Sequence, residues 1–171
     1  VSRFRFEVGV QSFKEKTLAS VGRIQNNARL VEVLHRLKQA GCILHVDLIA
    51  GLSCKEVTVD FIRQHSGADG IISTKPSMIR RAKELGLYTV MRFFVLDSLS
   101  FENIEKQLVS VKPDFIEVLP GVMPKIIRKV CKRVRTQVIA GGLISDKEDV
   151  MAALDAGAIA VSSTNQKVWL M

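Results

Sequence analysis

Short β-branched runs alternate with amphipathic helical stretches along the whole chain, and glycines close the helices just before the next run begins. These two features predict an α/β fold of parallel strands joined by right-handed crossovers. Eight such units are legible, so the expected architecture is one compact TIM-type (β/α)8 barrel domain over residues 1–171. That length falls below the roughly 200–250 residues usual for the fold, so some helices must be shortened or the barrel left partly open. An open doubly wound sheet is the rival arrangement. It usually brings a GxGxxG turn after its first strand, and none is present.

The elements follow in order. "FEVGV" (6–10) reads as the first strand and "SFKEKTLAS" (12–20) as a short helix; "VGRI" (21–24) is a weak second strand. In "ARLVEVLHRLKQAG" (28–41), Leu30, Val33, Leu34 and Leu37 recur at helical spacing, and Gly41 is placed to end the helix. "ILHVDLI" (43–49) and "KEVTVDFIRQHSG" (55–67) form the third unit, "GIISTK" (70–75) and "SMIRRAKELG" (77–86) the fourth. "YTVMRFFVLD" (88–97) precedes the helix "FENIEKQLVSVK", and "FIEVLPG" (115–121) precedes "MPKIIRKVCKRV". "QVIAGGLIS" (137–145), "DKEDVMAALDAG" (146–157), "AIAVSST" (158–164) and a short tail around Trp169 complete the pattern.

Composition narrows the classes. Apolar residues make up 47% of the chain, enough for a continuous core. Cys42, Cys54 and Cys131 lie far apart without metal-ligand spacing, and the reading is reduced thiols in the cytoplasm. No apolar run approaches the ~18 residues of a membrane span, so no membrane partner is expected. The formal charge of +8 favours an anionic partner, whether a phosphorylated ligand, a nucleic acid or an acidic protein.

In a parallel barrel the loops after the strands gather on one face, so polar residues at strand ends are the informative ones. They are His45 and Asp47 on the third strand, Ser73, Thr74 and Lys75 after the fourth, and Arg92 within and Asp97 ending the fifth. Glu117 lies on the sixth, Gly141 and Gly142 end the seventh, and Ser162, Ser163, Thr164 and Asn165 end the eighth. Paired glycines let backbone N–H groups approach a ligand, and hydroxyls beside a short helix start add donors. Residues 140–142 with 162–165 therefore read as a phosphate cradle, against the plainer reading of a tight turn and a polar helix cap. Asp47, Glu117 and Arg92 sit in apolar strands, where an unpaired charge is costly. Two readings stay open for them: mutually paired interior supports, or contacts to ligand hydroxyls. His45 reads as a satisfied core histidine, and no metal-ligand cluster or cofactor motif is present.

The segment "KIIRKVCKRVRT" (125–136) holds Lys125, Arg128, Lys129, Lys132, Arg133 and Arg135 and no acid. Helical spacing turns Ile126, Ile127, Val130, Cys131 and Val134 inward and the cations outward, as on a nucleic-acid-binding face or a merely solvated one. "IRRAK" (79–83) adds a smaller basic patch.

Several blocks carry a resemblance. "HVDLIAG" (45–51), "GIIST" (70–74), "RFFVLDS" (92–98), "KPDFIEVLPG" (112–121), "AGGLI" (140–144) and "AGAIAVSSTNQKVW" (156–169) are similar, in this order, to the glycerol uptake operon antiterminator regulatory proteins, the GlpP family. The resemblance implies a bacterial cytoplasmic regulator, not an enzyme, with a compact TIM-type barrel. It implies glycerol 3-phosphate as effector, no cofactor, and leader mRNA of glycerol-utilisation genes as the partner for antitermination. On it, the phosphate end falls on Gly141, Gly142, Ser163, Thr164 and Asn165, the strand-end acids on Asp47 and Glu117, and the fifth-strand motif on Arg92 and Asp97. Lys75 joins Asp47 and Glu117 as an expected neighbour of the glycerol hydroxyls. The rival function is an isomerase, aldolase or lyase acting on a small sugar phosphate, with Asp47, Lys75 or Glu117 as acid or base.

Overall fold

The computed structural model describes residues 5–9, 25–48 and 57–170. The expected second strand at 21–24, the helix at 12–20 and Cys54 lie outside them. The described residues hold seven strands and seven helices in near-strict alternation, divided between two compact units, Val1–Thr89 and Val90–Met171.

In the first unit β1 (Arg5–Gly9), β2 (Ile43–Leu48) and β3 (Gly70–Ser73) run parallel in that order. They alternate with helices α1 (Asn27–Gln39), α2 (Val57–His65) and α3 (Pro76–Glu84). Every residue of β3 is buried, the continuous apolar pattern of a strand covered on both faces. Asn26 caps α1 by accepting the Arg29 N–H at 3.0 Å, and Arg36 and Lys38 place cations in its last turn. Leu34 is fully buried, with Leu30 and Leu37 half-buried, but Val33 is 41% exposed. At 100° per residue Val33 stands at the flank of the stripe that Leu30, Leu34 and Leu37 share, so it leaves the expected core set.

Asp69, just before β3, fastens this unit together. Its carboxylate accepts from Lys38 Nζ at 2.7 Å and from the Leu44 N–H at 2.8 Å, while its carbonyl accepts the Tyr88 N–H at 2.9 Å. Burial works against the charge, yet the Lys38 ammonium and the Leu44 N–H hold the carboxyl below the usual carboxylate range. Asp69→Asn is therefore expected to cost about 1–2 kcal/mol in urea titrations at neutral pH. A carboxyl whose pKa is depressed by folding stabilises above its ordinary value and loses that contribution as pH falls through the folded one. The gap between wild type and variant should accordingly close in acid.

The second unit holds most of β4 (Tyr88–Phe94), then β5 (Phe115–Leu119), β6 (Gln137–Gly141) and β7 (Ala160–Ser162), parallel and neighbours in sequence order. Between them run α4 (Ser98–Val111), α5 (Pro124–Arg133) and α6 (Lys147–Asp155), with the single turn α7 (Gln166–Trp169) at the end. Small side chains bring α6 close to the sheet: Ala140, Ala153, Ala156 and Ala158 pack with Ile127 and Ile144 in one buried cluster. The expected fifth strand is shorter than its apolar run, since β4 stops at Phe94. Asp97 does not end a strand. It caps α4, accepting the Ser100 N–H at 2.7 Å while its own N–H donates to Ser100 Oγ at 3.0 Å. Those bonds to Ser100 hold its carboxyl below the usual range.

Candidate functional site

The ends of β5, β6 and β7 are laced together. Gly141 pairs in register with Ser162, which sets the rims of β6 and β7 side by side. Ser163 Oγ donates to the Ile144 carbonyl at 2.7 Å and accepts the Asn165 N–H at 3.1 Å. Asn165 Nδ2 donates to the Ser145 carbonyl at 2.9 Å, and its Oδ1 accepts the Lys167 N–H at 3.1 Å. Ser145 is itself fixed, its N–H and hydroxyl both donating to Asp149 Oδ2 at 3.0 Å. The Ser145 N–H, with the hydroxyl behind it, holds the Asp149 carboxyl below the usual range. From the β5 side, the Gly121 N–H donates to the Gly142 carbonyl at 3.0 Å.

This lacing decides what the rim offers a ligand. A hydroxyl has one proton, and that of Ser163 is committed to Ile144. One proton of Asn165 Nδ2 is likewise committed to the loop across from it, which leaves its second N–H and the backbone N–H groups. In a trans peptide the C=O and the following N–H share a plane and point in opposite directions. Fixing the Gly142 carbonyl on Gly121 therefore aims the Leu143 N–H away from Gly121. The Ser163 carbonyl is fixed in the same way by Trp169 Nε1 at 2.8 Å, which aims the Thr164 N–H. Among the described residues no hydrogen bond engages either N–H, and the Thr164 side chain beside them is exposed.

The two glycines serve different ends. Gly142 has φ +77°, a left-handed backbone that favours glycine. Leu143 follows at φ +63° with 75% of its surface exposed. A non-glycine residue held in that region is a local strain of the kind that collects at functional sites. Gly141 makes room instead: a Cβ there would collide with Glu117 Oε1. Glu117 is 1% exposed and accepts from Arg92 Nε at 2.5 Å, its register partner on β4. Arg92 and Glu117 thus form a buried ion pair directly under the β6 rim.

The other expected residues fall in the first unit. Asp47 is half-buried near the end of β2, opposite Gly9 and Ile72. Lys75 occupies the N-cap position of α3, its N–H donating to Ser73 Oγ at 3.2 Å. This reproduces after β3 the Ser163–Asn165 turn found after β7. His45 is buried on β2. Among the described residues no group of histidines, cysteines or carboxylates could hold a metal ion, and no helix is long and apolar enough to cross a membrane.

On α5 the expected division appears. Lys125, Arg128, Lys129, Lys132 and Arg133 are exposed, as is Arg135 beyond the helix, while Ile127 and Val130 are buried. Arg133 is engaged, with Nε 3.5 Å from Glu105 and the guanidinium 5.1 Å from the centre of the Phe101 ring. In the smaller patch at 79–83, Arg81 pairs with Asp60 and Glu84, while Arg80 and Lys83 are exposed. Sequence reasoning missed Leu143, Trp169 and the Ser145–Asp149 brace. Only the brace left a signal, a serine four residues before an aspartate across a helix start.

Comparison with known proteins places the chain in a family. An Escherichia coli (strain K12) protein, the uncharacterized protein YgcP, is 44% identical over 148 residues, spanning 85% of this chain and 78% of that one. The crystal structure of the glycerol uptake operon antiterminator regulatory protein from Listeria monocytogenes superposes with a TM-score of 0.77 at 27% identity, over 95% of both chains. That of a glycerol uptake operon antiterminator-related protein from Thermotoga maritima gives 0.73 at 29% identity, over 99% of both. Residues 7–169 match the family described as glycerol-3-phosphate responsive antiterminator, and the chain belongs to that family.

Proposed function

We propose that this protein is a glycerol 3-phosphate-gated transcription antiterminator, a regulator of the bacterial cytoplasm that binds leader mRNA of glycerol-utilisation genes and catalyses no reaction. The observation that carries the ligand half is the pairing of the β6 and β7 rims, whose Leu143 and Thr164 N–H groups are aimed by bonds to their own peptide carbonyls. Neutral amides held in place suit a small dianion, because they need no reorganisation when it arrives. The phosphate would rest on residues 141–143 and 163–165, with the Arg92–Glu117 pair beneath the β6 rim and closest to the glycerol hydroxyls. Asp47 and Lys75 belong to the first unit and take no part in this assignment. The exposed cations of α5 support the RNA half. Ligand would favour an RNA-competent conformation by binding it more tightly than the alternative.

Thermal-shift titration tests the ligand half. At a hundred times its dissociation constant glycerol 3-phosphate should add about 2.7 kcal/mol, a rise of about 5–10 °C in Tm, with little from glycerol. Gly142→Asp places a Cβ on a left-handed backbone and a carboxylate on the rim, and should abolish the shift. Equal stabilisation by glycerol, or a full shift in Gly142→Asp, overturns the assignment.

A further inference from the structure

We propose that Trp169 is a positioning residue of the phosphate site, acting through Ser163; the claim rests on the reading above. The indole N–H is a donor only, and it reaches the Ser163 carbonyl at 2.8 Å. Ser163 is thereby held at both ends: its hydroxyl is tied to Ile144 and Asn165, its carbonyl to Trp169. The hydroxyl bonds fix where the residue sits. The Trp169 bond holds the peptide plane between Ser163 and Thr164 directly at its carbonyl, adding to the turn closed by the Asn165 N–H and Ser163 Oγ, and the rotation of that plane sets the direction of the Thr164 N–H.

The surroundings of Trp169 fit this role better than a core-filling one. Trp169 is 52% exposed, and Leu170 beside it is 90% exposed, so the indole is no part of the buried core. The one-turn α7 is anchored to the α6 cluster by half-buried Val168 instead. A large donor ring kept half in water, with its N–H spent on a backbone carbonyl of the ligand rim, is placed to aim that rim. The same bond couples rim and tail: any ligand that tightens the Thr164 N–H must tighten the hydrogen bond of the indole.

The chain has one tryptophan, so both halves can be read directly. Trp169→Phe keeps an aromatic ring and deletes the donor. Its affinity for glycerol 3-phosphate by calorimetry should fall about three- to tenfold, the range of one hydrogen bond. In the wild type, the single indole N–H resonance should move on titration with glycerol 3-phosphate and stay in place with glycerol. A tail that is merely structural would lower the Tm of Trp169→Phe while leaving the dissociation constant unchanged and the indole resonance still. That outcome in a wild type that binds overturns this inference alone. A wild type that glycerol 3-phosphate does not stabilise overturns the functional reading and this inference with it.

Discussion

Gly141→Ala is expected to destabilise the protein by about 3–5 kcal/mol, a larger loss than a methyl group added to a core normally causes. Overpacking by itself costs roughly 1–3 kcal/mol. Here the added Cβ meets no yielding hydrocarbon but the Oε1 atom of Glu117. The Glu117 side chain has 2% of its surface exposed and that of Arg92 16%, so displacing the carboxylate breaks an ion pair largely sealed from water. Separating such a pair costs about 3–5 kcal/mol, because desolvated charge loses the partner that offset its burial. Urea titration checks this: the midpoint should fall with the slope unchanged. The mechanism also predicts non-additivity. Glu117→Ala removes the obstructing carboxylate, so adding Gly141→Ala to it should cost little more. If Gly141→Ala alone is within about 0.5 kcal/mol of wild type, Glu117 is not pinned under the rim as described.

Reversing Arg128 and Lys132 to glutamate is expected to weaken leader-RNA binding at least tenfold, or about 1.4 kcal/mol. Both side chains are exposed, and no acid lies within 125–136 to compete for them. For every phosphate of a single strand that the variant no longer neutralises, the logarithmic salt dependence should flatten by about 0.7. Arg133 is a poor choice for the test, since its ties to Glu105 and Phe101 hold α5 against α4. Arg80→Glu on α3 is the control for each single reversal: an exposed cation on another helix, whose reversal lowers net charge without touching the stripe. Fluorescence anisotropy at physiological salt, with and without glycerol 3-phosphate, separates the cases. An Arg80 reversal equal in effect to one on α5 would assign the binding to overall charge. Binding indifferent to the α5 reversals would remove RNA from that face.

Local chemistry was legible in particular residues. Leu30, Leu34 and Leu37 announced the buried face of α1, and the alternation of Ile127 and Val130 with cations announced both faces of α5. The β-branched runs of β2 to β7 announced parallel strands, because strands covered on both faces must be apolar throughout. Asp97 misled because its apolar run suggested a longer strand, and the competing signal was the serine three residues on that closes the capping box. Val33 misled because helical spacing alone does not say how wide the buried stripe is.

The sequence by itself determined the order of strands and helices, the cationic face of α5 and the strand ends that carry polar residues, since each follows from the period and chemistry of neighbouring side chains. Only the tertiary structure decided what those polar residues do. Ser163 and Asn165 turned out to lace loops, Gly141 to shelter a carboxylate, and Trp169 to hold a carbonyl six residues back. Hydrogen bonds and steric limits of this kind join atoms that the fold brings together, and their directions are fixed by peptide planes whose rotation no spacing of residues encodes.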